Sequence, residues 1–235
     1  MGLTFEPSFL DRLSISIDYQ NIEIEGAINN LNGSAVVAAC YDSSVYPSDA
    51  VCNQFSRDPA RFILSGYRAG FVNTGFTNFA GLTTNVAYSV DIGPGTVGLA
   101  ATWFRLDKYD TSTNGFDVDD WVELLGREKN RAQIAVSYSQ GKWSATWQGH
   151  YVGEGWLDSS ARDYDGTSTP LFEFARTDSM LTHNATVSYK FNERFSARLV
   201  INNLTEETQP RELRQFANVF ARVGRTYVFA FKARL

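Results

Sequence analysis

Apolar and polar side chains alternate with period two in segment after segment of this chain, and that period belongs to a half-buried strand, not a helix. "TTNVAYSVDI" sets Val86, Tyr88 and Val90 against Asn85, Ala87, Ser89 and Asp91. "TVGLAATW" sets Val97, Leu99, Ala101 and Trp103 on one face. "RAQIAVSY" does the same with Ala132, Ile134, Val136 and Tyr138, and "KWSATWQGHY" with Trp143, Ala145, Trp147 and Tyr151. "THNATVSYKF" and "RFSARLVIN" follow with Ala185, Val187, Tyr189, Phe191, then Phe195, Ala197, Leu199, Ile201. "DRLSISIDYQ" opens the series with Leu13, Ile15, Ile17 and Tyr19, with a bulge expected near Asn21. "GRTYVFAFKARL" closes it, Tyr227, Phe229 and Phe231 facing one way and Lys232 and Arg234 the other, in a strand that runs to Leu235. This predicts about eight strands of roughly ten residues, near the length that crosses a tilted bilayer span.

The connections alternate in length. "GPG" (93–95), "QG" (140–141) and "NE" (192–193) are tight; 26–61, 109–130, 154–180 and 204–222 are long. Tight turns at one end and long loops at the other are the pattern of an outer-membrane barrel. Aromatics gather near strand ends on the apolar face (Trp103, Tyr138, Trp143, Tyr151, Tyr189, Phe191, Phe195), as an interfacial girdle requires. The expected fold class is all-β: an antiparallel transmembrane β-barrel segment with short periplasmic turns and long extracellular loops. A soluble sandwich with one wet face stays open as the alternative on periodicity alone.

Composition narrows the function classes. No apolar run approaches the roughly 18 residues of a membrane helix, but a barrel strand shows lipid only every second residue. A net charge of -5 without any Lys/Arg run argues against nucleic acid as a partner. Aromatics reach 14%. "MGLTFEPSFL" has neither a basic start nor a long apolar stretch, so no signal peptide is visible and an exported protein would begin further upstream.

Cys40 and Cys52, in the turn-rich "ACYDSSVYPSDAVC", are expected to form one loop disulfide, which implies an oxidising compartment. Other motifs lead nowhere chemical. "GPGTVG" has dinucleotide spacing, but "LAATWFRL" continues period two where a helix is needed, so it reads as a hairpin turn. "DTSTNGFDVDDW" imitates a calcium loop with Trp121 in the place of the bidentate carboxylate, and "DVDDWVELLG" is expected as a short loop helix stopped by Gly126. His150 and His183 are expected on opposite faces of neighbouring strands, unable to share a metal. No catalytic set, metal site or cofactor site is expected. The loop "EGWLDSSARDYDG" combines Trp156, Arg162, Asp163 and Tyr164, a mixture suited to sugars or to chelates bearing carboxylate or catecholate groups.

Strings around these strands resemble the C-terminal part of TonB-dependent receptors. "PSFLDRLSISIDYQNIEIEGAI" is similar to that family's periplasmic turn and strand; "FVNTGFTNFAGLTTNVAYSV" to its "N-G----G----L-Y" strand; "GKWSATWQGHYVGEG" to its "G-WS-----RY-G" strand. "INNLTEETQP" resembles the penultimate "NNLFDE--P" motif, and "GRTYVFAFKARL" the last strand. The departures are Thr205 in place of an aromatic and Leu235 in place of a terminal aromatic. The resemblance implies a plugged barrel of about 22 strands, of which residues 1–235 would be the C-terminal part. Residues 1–10 would end a preceding strand, and the plug and first barrel strands would be missing.

It further implies a bacterial outer-membrane location, lipid around Tyr227, Phe229 and Phe231, coupling to the TonB complex, and uptake of a scarce solute (siderophore, cobalamin or glycan) rather than enzymatic chemistry. Two other readings stand beside it: a soluble all-β carbohydrate-binding module, and a small complete eight-stranded barrel.

Overall fold

The structure, a computed structural model, describes residues 1–30, 32–68, 71–115, 117–163, 176–208 and 224–234. The period-two segments pair into one antiparallel sheet. Its strands are β1 (Gly2–Phe5), β2 (Ser14–Asn30), β5 (Phe71–Ile92), β6 (Gly95–Ser112), β8 (Asn130–Gln140), β9 (Trp143–Val152), β12 (Met180–Lys190), β13 (Phe195–Asn202) and β14 (Thr226–Ala233), in that spatial order. The short β7 (Asp119–Asp120) pairs with β6 and makes the sheet ten-stranded. Two small hairpins stand apart, β3 (Phe55–Arg57) with β4 (Leu64–Tyr67), and β10 (Gly155–Trp156) with β11 (Arg176–Thr177). Helix α1 (Gly33–Tyr41), a 3-10 turn at Ala50–Gln54 and the short α2 (Ser159–Arg162) lie in the connections. No helix among the described residues is long and apolar enough to cross a membrane.

Contacts divide the chain into two units: 1–20, 81–107 and 122–235, and 21–80 with 108–121. In the first, the register pairs like with like. Val97, Leu99, Ala101 and Trp103 of β6 stand opposite Tyr138, Val136, Ile134 and Ala132 of β8. Val136 then faces Trp147, Trp147 faces Ala185, and Ala185 faces Ile201, which faces Tyr227. On the other face Thr102 stands opposite Gln133, Gln133 opposite His150 and His150 opposite Thr182. A slip of one residue would exchange the faces of a whole strand, so this agreement fixes the register across β6 to β14.

Among the described residues nothing covers the apolar face. Tyr227, Phe229 and Phe231 are 63%, 71% and 59% exposed. At the short-turn end of this face the rings form a connected row: Trp143 to Tyr189 at 4.5 Å, Tyr189 to Phe191 at 4.9 Å, Phe191 to Phe231 at 6.5 Å and Phe231 to Phe195 at 5.9 Å. Gly149 leaves room for the Trp147 indole, since a Cβ there would sit 3.0 Å from the ring. A sandwich would bury this face under a second sheet; among the described residues none lies on it. Contiguous apolar surface of this extent is a hazard in water and ordinary in lipid.

Three expectations are corrected. β2, β5 and β6 are 17, 22 and 18 residues long rather than about ten, so the connections at 26–61 and 109–130 are shorter than their sequence suggests. The far halves of these strands lack clean alternation: "RLDKYDTS" is mostly polar yet buries Leu106, and in β5 the Phe79 ring meets the Tyr109 ring edge-on at 6.1 Å. The loop helix expected at 117–126 is absent: Asp119 and Asp120 join the sheet edge beside Thr111 and Asp110, and Gly126 (φ 86) serves a tight turn. The last strand stops at Ala233, before Leu235, which lies outside the described residues.

Candidate functional site in the long connections

In the first unit, two connections brace each other. Glu128 is 1% exposed, and its carboxylate accepts from the Gly126 N–H (2.7 Å) and from Arg131, whose Nε is 2.9 Å away. Arg131 also donates to the Gly126 carbonyl. A buried carboxylate held by one cation and one backbone donor is satisfied, and it closes the turn that Gly126 makes. The β10–β11 hairpin docks on that turn: Trp156 N–H donates to the Glu123 carbonyl and Leu125 N–H to the Trp156 carbonyl, both at 2.7 Å. Thr177, 2% exposed, ties Gly155 from the other side.

The residues singled out in "EGWLDSSARDYDG" fall here. The Trp156 ring lies 5.1 Å below the Arg176 guanidinium, which also pairs with Glu154. Arg162 ends α2, donates to the Val122 carbonyl (2.8 Å) and pairs with Asp163 (2.8 Å), holding that carboxyl below its ordinary pKa through the hydrogen bond. Trp156 and Arg162 therefore hold one connection to the next as well as standing at its surface. Tyr164 lies outside the described residues.

In the second unit, α1 begins at an Asn32 cap whose side chain accepts from Ala35 N–H. Cys40 and Cys52 are joined by a disulfide, S–S 2.08 Å, Cα–Cα 4.9 Å. Val36, Ala39 and Cys40 are its small core. Asp49 caps the 3-10 turn; hydrogen bonds from Ser43 (2.6 Å) and then Val51 N–H (3.0 Å) lower its pKa. Arg57 lies over the Tyr41 and Phe55 rings at 5.7 and 5.9 Å. In the calcium-like stretch the side-chain oxygens accept from nearby N–H groups: the Asn114 amide donates to Asp117 (2.7 Å), Gly115 N–H to Ser112 (2.9 Å) and the Trp121 indole to Thr111 (2.7 Å). No cluster among the described residues could hold a metal.

The polar face of the sheet carries a hydrogen-bonded row. Asn85 donates to Ser16 (3.2 Å) and accepts from Thr102 (2.8 Å), beside a shallow concavity that Gln133, Gln148 and His150 also line. His150 is on this face; His183 is on the other, stacked on Trp147 at 5.6 Å. At the short-turn end Lys190, Arg194, Lys232 and Arg234 line a second concavity.

Alternation in the sequence marked both faces. It could not mark Arg176, whose partners Glu154 and Trp156 lie some twenty residues back, nor Glu128, Arg131 and Arg57, whose partners sit within turns; the nearest signal was a Gly beside a charged pair in "LGREKNR".

A family model described as "TonB dependent receptor-like, beta-barrel" matches residues 2–204. No curated protein matches. Among solved structures, the siderophore receptor PirA from Acinetobacter baumannii is similar over 99% of this chain and 30% of its own, with a TM-score of 0.60 and 13% identity. The FrpB iron transporter from Neisseria meningitidis matches 99% of this chain and 30% of its own, TM-score 0.56, 14% identity. A mutant of the ferric enterobactin receptor PfeA from Pseudomonas aeruginosa matches 88% and 25%, TM-score 0.55, 11% identity. The chain thus spans under a third of the length of these structures.

Proposed function

Since the chain belongs to the TonB-dependent receptor family, by its β-barrel model over residues 2–204, we propose that it is the C-terminal wall and loop part of an outer-membrane receptor for a scarce solute. One observation carries the reading: an apolar face, continuous in register from β6 to β14, that nothing among the described residues covers, opposite a face of Ser, Thr, Asn, Gln and His. Such a sheet suits a wall between lipid and a hydrated lumen. In this reading the apolar face meets outer-membrane lipid, with Tyr227, Phe229 and Phe231 on the closing strand.

The long connections lie outside the cell, the Cys40–Cys52 module among them, and the polar face meets a plug supplied by preceding polypeptide. The family is one of receptors, so no covalent chemistry is proposed. The similar solved structures named above are a siderophore receptor, a ferric enterobactin receptor and an iron transporter, and an iron chelate is accordingly the first solute to try. Trp156, Arg162, Asp163 and Tyr164 form the proposed contact loop, where a cation and rings suit carboxylate or catecholate ligands.

Accumulation of radiolabelled iron chelates by cells carrying the receptor tests this. Uptake that vanishes when TonB is inactivated is expected, and Asp163→Ala, which removes an anion and frees the Arg162 guanidinium for an anionic chelate, should not weaken it. Uptake indifferent to TonB contradicts it. Asp163 suits the test because it is exposed, while Trp156 and Arg162 also brace the loops.

A further inference from the structure

The β3–β4 hairpin holds apolar side chains out in water. At its tip, "RDPARFIL" (57–64), Phe62, Ile63 and Leu64 are 75%, 56% and 42% exposed. The tip is built, not loose. Asp58 accepts from Ala60 N–H (2.8 Å) and Arg61 N–H (3.1 Å). Phe62 N–H donates to the Asp58 carbonyl (2.8 Å), Asp58 N–H to the Ile63 carbonyl (2.9 Å), and Arg57 to the Phe62 carbonyl (2.9 Å). Phe62 takes φ 58, a conformation that is unfavourable for a bulky side chain. The hairpin thus holds three consecutive apolar residues away from the unit's own core of Val36, Ala39 and Cys40.

The charge around the tip is one-sided. Residues 57–68 contain Arg57, Arg61 and Arg68 against Asp58 alone, in a chain of net charge -5. Arg61 and Arg68 are exposed, and neither pairs with a carboxylate among the described residues.

Size and shape choose the partner. A stable protein interface buries about 800 Å² on each side, more than three such side chains offer. A small-molecule site is concave, and this tip protrudes. A lipid surface asks for less: a few protruding apolar side chains enter its acyl boundary while flanking cations stay at phosphate level. We infer that the β3–β4 tip docks on a lipid surface bearing anionic headgroups, with Phe62, Ile63 and Leu64 entering the apolar layer and Arg61 and Arg68 meeting phosphates. This goes beyond the uptake reading and does not depend on the solute.

The test reconstitutes the protein in vesicles of phosphatidylcholine and adds labelled vesicles of phosphatidylcholine, with or without phosphatidylglycerol. The expected result is capture of the phosphatidylglycerol vesicles only, weakened by salt. Capture should fall about tenfold in Phe62→Ser/Ile63→Ser and again in Arg61→Gln/Arg68→Gln. Limited proteolysis of 33–67 confirms that each variant keeps its hairpin. Three outcomes overturn the inference: no capture, equal capture of neutral vesicles, or equal capture by wild type and variants. Binding of polyglutamate without binding of lipid also overturns it and points to an acidic protein.

Discussion

Val228 and Phe229 are neighbours in sequence and opposites in surroundings. Phe229 stands beside Leu199 on the uncovered apolar face; Val228 stands beside Val200 on the polar face. With the apolar face toward lipid, as proposed, Phe229→Asp should cost about 2 kcal/mol of insertion free energy near mid-bilayer, read as loss of the compact, heat-modifiable band on gels. Val228→Asp should assemble nearly as wild type. Elsewhere single residues hold loops. Glu128→Gln removes the charge that Arg131 and Gly126 share, and should destabilise that turn by about 1–3 kcal/mol, seen as faster hydrogen exchange at Gly126.

Asp49 has a depressed pKa, from the Ser43 hydroxyl first and Val51 N–H second. Its folded carboxyl therefore binds its proton at lower pH than the unfolded one does. The stabilisation is present above the ordinary carboxylate range and is lost as pH falls through the depressed value. In Ser43→Ala the titration of Asp49, followed by carboxyl NMR, should move up toward the ordinary value.

At the scale of elements, alternation made the strands legible wherever one face is apolar. β8, β9, β12 and β13 follow it closely because lipid-type and water-type residues keep strict turns. It failed in the far halves of β5 and β6, where apolar residues such as Phe76, Phe79 and Leu106 are mixed with polar ones out of strict alternation. It failed again at 117–126, where the helix-like "WVELLG" is overridden by β7 pairing and by bridges at Leu124. The docking of Trp156 on Glu123 and Leu125 and the Arg176 pair with Glu154 are contacts between segments far apart in sequence, which no local pattern encodes. The cysteine spacing did point to the staple between α1 and the 3-10 turn. Cys40→Ser/Cys52→Ser should lower the stability of that module by about 2–4 kcal/mol, read as protease cleavage within 33–67 while the sheet stays intact.

The ten-stranded sheet has two unpaired ends among the described residues. Its order starts at β1 and finishes at β14, and these are not paired with each other among the described residues. Open edges invite further strands, which agrees with a chain matching at most 30% of each solved relative named above. The central claim is that the two faces of this sheet meet lipid and water, and β14 tests it most directly. Both native cysteines are in the disulfide, so single cysteines can be placed at each position from Tyr227 to Lys232 in the membrane-assembled protein. A water-soluble maleimide should label positions 228, 230 and 232 and spare 227, 229 and 231, which a lipid-soluble maleimide should label instead. Equal labelling at all six positions, or the reverse alternation, would contradict the account.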